Sequence, residues 1–225
     1  MRFPSFLPLI IACCLLSGPL AAQWPTLRVG CSAELDGDGV VGMSDLLVVL
    51  AQFGTTCDSE PPEDGWPQLH ITELHYNPAS VQGNDSEYEF LEVYNPGANA
   101  VDLQGWSLTE GISFTFPQGA SIAGGAYLVV AAMDVTYSGL GYPVYDWGSG
   151  GLHNSGELIA LRSPDGTVVE SVNYSDNGDW DSAPDGQGPS LERLFLSGDP
   201  HDAAQWSASI NTGGTPGAIN SLWVD

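Results

Sequence analysis

The sequence predicts a mainly β protein, an immunoglobulin-like β-sandwich carrying a small N-terminal module made of a calcium loop and a helix. Three observations lead there. Gly (28) and Pro (16) are abundant in 225 residues while charged residues are only 14%, against a usual share of about 25%, which fits turn-rich β structure with few long surface helices. From Gln68 onward, short β-like runs alternate with turn residues. Before them, an Asp- and Gly-rich loop lies between two cysteines. The net charge of -24, from 28 acidic residues against 4 basic ones, excludes nucleic acid and anionic membrane surfaces as partners, because both require a cationic face.

Residues 1–22 read as a secretory signal: Met1-Arg2, an apolar stretch from Phe6 to Leu16, then Ser17, Gly18, Pro19 and the small residues Ala21 and Ala22. The stretch is too short to span a bilayer, and no later run is apolar enough for membrane insertion. Ile10-Ile11-Ala12-Cys13 loosely fits a lipid-attachment box, but the segment before Cys13 is short and the one after it stays apolar. The expected destination is the secreted or cell-surface space. Cleavage leaves Cys31 and Cys57, an even pair bound for an oxidising compartment, and predicts a disulfide. Its loop of about 26 residues would stabilise by roughly 3 to 4 kcal/mol in the chain-entropy account.

Residues 23–57 hold the module closed by that bridge. Glu34, Asp36 and Asp38 stand at positions 1, 3 and 5 of a calcium loop, Val40 offers a backbone carbonyl, and Asp45 closes the loop at position 12. Gly39 permits the sharp turn, and Gly42 leaves position 9 to water. Four carboxylates so close repel one another without a cation, so calcium is the expected cofactor. Leu46, Leu47, Leu50 and Phe53 then fall on one helical face. One loop and one helix resemble half of a type I dockerin, an F-hand. Glu34 replaces the usual Asp, and the second repeat is missing; a complete dockerin docks on cohesin through paired repeats, so the resemblance implies cohesin binding only weakly here.

Residues 58–66 are polar and proline-bearing and read as a linker. Residues 67–220 form the main domain, with 221–225 as a tail. Candidate strands are 69–76, 87–95, 101–108, 112–116, 126–132, 157–162 and 167–174. Asn95-Pro96-Gly97, Gly124-Gly125 and Ser163-Pro164-Asp165-Gly166 punctuate them, the last as a hairpin signal. The apolar run 126–132 predicts a strand buried on both faces, whereas 167–174 alternates. About seven strands over some 110 residues indicate the sandwich.

The blocks Glu87-Tyr-Glu-Phe-Leu-Glu-Val-Tyr-Asn-Pro-Gly97, Val101-Asp-Leu-Gln-Gly-Trp-Ser-Leu108, Ile112-Ser-Phe-Thr-Phe-Pro117 and Gly124-Gly-Ala-Tyr-Leu-Val-Val130 resemble the lamin-tail domain. Asn154-Ser-Gly-Glu-Leu-Ile-Ala-Leu161, the stretch from Gly166 to Tyr174, Gly188-Pro-Ser-Leu-Glu-Arg193 and Gly213-Gly-Thr-Pro-Gly-Ala-Ile-Asn220 resemble its bacterial secreted branch. The resemblance implies an interaction domain attached to other extracellular modules. Nuclear roles do not follow from it, since a signal peptide is present and neither a heptad rod nor a basic localisation run is.

Catalytic residues are not expected. Gly148-Ser149-Gly150 lacks nucleophile-elbow spacing, and no phosphate-cradling glycine loop occurs. His70, Glu73 and His75 mimic a metalloprotease motif, but the odd separation of the histidines predicts opposite faces of a strand. His153 and His201 stand alone. Glu89 and Glu92 read as a solvated face rather than a glycosidase pair. Asp176, Asp179, Asp181 and Asp185 form a candidate second metal site, set against a solvated turn anchored by Trp180. Trp106 reads as core and Trp206 as packing near the end, while Trp147 lies in a loop-like stretch that could present it to a sugar.

The expected function is that of a secreted, non-catalytic, calcium-binding interaction protein with a protein or polysaccharide partner outside the cell. The alternative is a carbohydrate-binding accessory module of a polysaccharide-degrading system. A hydrolase or nuclease ranks last: lamin-tail domains can accompany nuclease domains, but only five residues follow position 220.

Overall fold

The computed structural model describes residues 65–223, within the second of the two units, Met1–Glu60 and Pro61–Asp225, into which the chain divides. The signal segment, the calcium loop with Glu34, Asp36, Asp38, Val40 and Asp45, and the cysteines Cys31 and Cys57 all lie outside the described residues.

Among the described residues the chain runs β1 (His70–His75), α1 (Asp85–Tyr88), β2 (Phe90–Tyr94), β3 (Val101–Asp102), β4 (Ser107–Thr109), β5 (Phe114–Thr115), β6 (Ser121–Ile122), β7 (Tyr127–Ala131), α2 (Asp134–Tyr137), β8 (Val144–Asp146), β9 (Gly156–Arg162), β10 (Val168–Ser175), β11 (Pro189–Arg193), a 3-10 turn (Ala203–Gln205) and β12 (Trp206–Thr212). A six-stranded sheet has the order β12-β11-β1-β2-β7-β8, a four-stranded sheet the order β10-β9-β4-β5, and β3 pairs with β6. Every pairing between these strands is antiparallel except β7 with β8, and an isolated parallel bridge joins Asn77 to Asp185. This is the predicted mainly β, immunoglobulin-like sandwich.

The core follows from alternation. Leu74, Leu91, Val93, Leu128, Val130 and Leu191 of the larger sheet meet Leu108, Ile159, Leu161, Val172 and Tyr174 of the smaller, since alternate residues of a strand share a face. In β10 the buried positions are Glu170, Val172 and Tyr174, as alternation predicts. In β7, residues Leu128 through Ala131 are all buried, and the outward pair Val129 and Ala131 packs with Phe90 and Tyr137 in a second, smaller cluster. The run 126–132 is thus covered on both faces.

Several expected boundaries move. The predicted start of β2 at 87 is taken by α1, tied to α2 where Thr136 Oγ1 donates to the Glu87 carbonyl (2.7 Å) and the Tyr137 hydroxyl to the Tyr88 carbonyl (2.6 Å). The run 101–108 divides into β3 and β4 around a turn in which Asp102 Oδ1 accepts from the Gln104 N–H (2.9 Å). Four strands were not expected: β6, β8, β11 and β12. Trp66, assigned to the linker, packs edge-on against Trp106 at 5.6 Å. At the far end, Trp223 meets Tyr94 at 6.2 Å, so the expected tail begins as part of the body.

Asn95 organises the loop after β2. Its Nδ2 donates to the carbonyls of Asn99 (2.9 Å), Ala123 (3.1 Å) and Ile122 (3.3 Å), and its Oδ1 accepts from the Gly97 N–H (2.9 Å). Asn95→Ala removes four hydrogen bonds, one of them to the carbonyl of the buried Ile122, and is expected to cost roughly 2 kcal/mol. The readout is a lower urea midpoint at unchanged slope.

Candidate functional site

The densest polar chemistry lies on the outer face of the six-stranded sheet. Glu73 of β1 stands opposite Glu192 of β11 on one side and Glu92 of β2 on the other, so three glutamates form one row across three adjacent strands. A β-bulge between Ile71 and Glu73 sets this up: the extra residue turns Glu73 outward although Ile71 points to the core. All three carboxylates are fully buried, because residues 214–221 cross over them.

That strap supplies most of the donors. Glu73 Oε1 accepts from the Thr215 N–H (2.9 Å) and from the Ser190 hydroxyl. Glu192 accepts from the Thr215 hydroxyl (2.8 Å), the Ser221 N–H (2.8 Å) and the Ser221 hydroxyl (2.6 Å). Glu92 accepts from the Thr72 hydroxyl (2.7 Å) and the Gly217 N–H (2.7 Å). Asn220 Nδ2 clamps the far end, donating to the carbonyls of Thr72 and Arg193 at 2.8 Å each. The close approach depends on two glycines at positive φ, Gly214 (+76°) and Gly217 (+80°). A Cβ on the first would strike Glu73 and Ser190, and on the second the Tyr142 ring.

Burial dominates the electrostatics. It pushes the Glu73 carboxyl up to about 8 against the lowering effect of its hydrogen bonds. Burial, and next the neighbouring Glu73, hold Glu92 well above the ordinary carboxylate range. Neither arginine among the described residues pairs with the row. The two arginines among the described residues are engaged elsewhere: Arg162 pairs with Glu110 (2.9 Å), and Arg193 with Glu170 (2.7 Å) at the edge of the core, where Glu170 also meets His70 Nδ1 (2.9 Å).

Several expected placements are corrected. Glu89 and Glu92 are buried, not solvated: Glu89 Oε2 accepts from the Leu152 N–H (2.9 Å), and burial lifts it to about 7. The bulge cancels the parity assigned to the histidines, since His70 pairs with Tyr94 and His75 with Phe90, an even step along β2. They still serve different partners. His75 is buried beside Gln82 Nε2 (3.3 Å), and burial lowers it to about 4. His153 Nδ1 accepts from the Ser155 N–H (3.2 Å), and His201 Nε2 lies 3.1 Å from the Ser171 hydroxyl. Trp147 is core and 5% exposed, because its N–H bonds the Ala131 carbonyl (3.0 Å) and draws it alongside β7. Trp106 is core, as expected, and Trp206 stacks near Trp180 at 6.4 Å.

In the 176–185 loop Asp176, Asp181 and Asp185 take separate partners, and of these Asp181 alone accepts from backbone N–H groups. Asp181 accepts from the N–H groups of Ala183 (3.0 Å) and Ala208 (3.1 Å), Asp185 from Asn77 Nδ2 (2.5 Å), Asp176 from Asn177 Nδ2 (2.8 Å), and Asp179 is exposed. Among the described residues no group of three or more His, Cys, Asp or Glu side chains is placed to hold a metal ion. Nor does any described helix have the length and apolarity to cross a membrane.

A separate feature opens to solvent. Trp66, Pro67 and Gln68, the 95–102 loop and Trp106 line a cleft of about 820 Å³. Trp106 forms its floor, and Trp66 is half-buried at its lip.

Comparison with known proteins gives a family and a distant structure. The family model described as the lamin tail domain matches residues 64–176. No curated protein matches. Among solved structures, a DUF4876 family protein from Bacteroides thetaiotaomicron aligns at 11% identity and a TM-score of 0.40, covering 72% of this chain and 73% of that one. The strap and its β11 glutamate lie beyond the matched residues.

Proposed function

The chain belongs to the lamin tail domain family, and from that premise we propose a secreted, non-catalytic, calcium-binding interaction protein. In this reading Glu34, Asp36, Asp38, Val40 and Asp45 hold one Ca²⁺ inside a Cys31–Cys57 loop, and the sandwich presents the open cleft to a macromolecule outside the cell. The carrying observation is how the sandwich spends its polar groups: the buried carboxylates are tied to internal donors, while the Trp66 cleft is open and set on a loop held rigid by Asn95. A concave, mostly apolar surface with a few amide groups suits recognition.

Isothermal titration of the metal-stripped protein with Ca²⁺, beside an Asp36→Ala/Asp38→Ala variant, tests the calcium part. One site, lost in the variant, is expected. Absence of binding at millimolar Ca²⁺ would leave the loop an acidic turn and the function with the sandwich alone.

The half-buried Trp66, flanked by Gln68 and Asn99, favours a second reading in which the partner is a polysaccharide. That reading requires retardation in affinity electrophoresis on some member of a polysaccharide panel, abolished by Trp66→Ala. Unretarded migration on the whole panel with Ca²⁺ present counts against it.

A further inference from the structure

The glutamate row and its strap belong neither to the calcium loop nor to the cleft. We propose that residues 214–221 are a proton-operated latch over the outer face of the six-stranded sheet, closed while Glu73 and Glu92 keep their protons beside Glu192 and released when they ionise.

The geometry carries this. Directly opposed residues on antiparallel strands bring their Cβ atoms to about 5 Å, where like charges repel. Three glutamates sit at that spacing in sequence, all shielded from water. In a buried site such repulsion is relieved by cations, by protons or by exposure. Both described guanidinium groups are committed to other carboxylates. Protons remain.

One hydroxyl of the strap sits between two members of the row. Thr215 Oγ1 lies 2.8 Å from Glu192 Oε1 and 3.4 Å from Glu73 Oε2. Its single hydrogen serves Glu192, so a proton on Glu73 Oε2 has Thr215 Oγ1 as its acceptor. Neutral Glu73 adds this bond to the strap, while its Oε1 accepts from the Thr215 N–H in either state, so release is driven by the mutual repulsion of the buried charges and not by a loss of donors.

The other titratable groups around the row bring no cation to it. From β1, His75 is held neutral by burial. From β7, α2 and the loop before β8, burial raises the hydroxyls of Tyr127, Tyr137 and Tyr142, and Tyr94 of β2 stacks on Tyr127 at 4.5 Å. None offers a positive charge. The strap itself is shallow: Asn220 is its buried anchor, whereas Ala218 and Ile219 are exposed. The strap's donors favour ionised carboxylates, whereas burial and mutual repulsion favour neutral ones, and burial is the larger effect, so ionisation favours exposing the row to water over keeping the strap closed.

The test is an NMR titration of the protein with ¹³C-labelled glutamate carboxyls, together with amide exchange of Thr215, Gly217 and Ser221 corrected for intrinsic rates, between about pH 6 and pH 10. The expected result is carboxyl titration of Glu73 and Glu92 well above the ordinary range, with the three strap amides losing about tenfold or more of their protection over the same interval while β7 keeps its own. Glu73→Gln and Glu92→Gln, which supply a permanently neutral group, should each move strap release to higher pH, and the double variant should keep the strap closed at pH 10. Unchanged strap protection, titration of both glutamates in the ordinary range, or loss of protection in β7 together with the strap would overturn the proposal. So would a strap in either Gln variant that is already open at pH 6 in an otherwise protected fold.

Discussion

Replacing Arg193 by alanine is expected to lower the unfolding free energy by about 3–5 kcal/mol, the usual cost of leaving a buried charge without its partner. Arg193 and Glu170 are 1% and 7% exposed at their side chains and meet at 2.7 Å. The guanidinium also donates to the carbonyls of Phe195 (2.9 Å) and Leu196 (3.3 Å) and lies 6.0 Å from the Trp206 ring. Arg193→Ala strips hydrogen bonds from two backbone carbonyls as well as from Glu170. His70 remains beside Glu170, but a single imidazole does not replace the guanidinium fork. A cycle with Glu170→Leu and Arg193→Met separates the causes. The double variant should be more stable than Arg193→Met alone, since removing both charges removes the unpaired one. Equal stability of those two in denaturant unfolding would mean that packing, not the ion pair, carries the effect.

Much of the sandwich was legible because its inner face obeys simple alternation. The runs 69–76, 126–132, 157–162 and 167–174 each contain a strand within a residue or so of the expected limits, and the Ser163–Gly166 turn joins β9 to β10 as its sequence predicts. That turn closes through the Asp165 carboxylate, which accepts from the Ser163 hydroxyl (2.5 Å) and the Thr167 N–H (2.9 Å). Alternation fails where the second face is also covered. In β11, Ser190 and Glu192 look like solvent-facing positions but are buried under a strap from the end of the chain, and local pattern carries no signal for contact across 142 residues, the separation of Glu73 from Thr215. In β12, Ser207, Ser209 and Asn211 gave no apolar rhythm. Its outer edge is instead finished by side chains: Asp181 and Ser221 take the N–H groups of Ala208 and Ile210, which blocks pairing with another chain.

The row itself left a faint trace. A chain with four basic residues cannot pair many buried carboxylates, and Gly213-Gly-Thr-Pro-Gly217 has the small residues needed for close backbone approach. Neither says where the approach occurs. Likewise the bulge at Thr72, which overturned the parity of His70 and His75, has no signature in Ile71-Thr72-Glu73, since any ordinary residue can occupy it. The general class of fold is encoded in rhythm, whereas this site is encoded in a one-residue slip and a distant segment.

The same row makes stability fall as pH rises, opposite to the usual behaviour of paired carboxylates. Glu73 binds its proton in the folded state up to about pH 8 but releases it in the unfolded chain near the ordinary value of 4.5, so between those limits the native state holds more protons and the unfolding free energy declines with pH. The contribution is fully present below the unfolded value and is lost as pH passes through the folded one. Each unit of separation is worth ~1.4 kcal/mol, so Glu73 alone implies a decline of several kcal/mol, and Glu92, raised for the same reason, adds to it. Urea unfolding at pH steps from about 5 to 9.5 should show this slope, and Glu73→Gln should flatten it. The latch sets a bound on the fall. Once opening the strap costs less than burying another charge, the carboxylates meet water and the curve levels off. The pH at which it levels should coincide with the loss of protection at Thr215 and Gly217, and the drop up to that point measures how tightly those hydrogen bonds hold the strap.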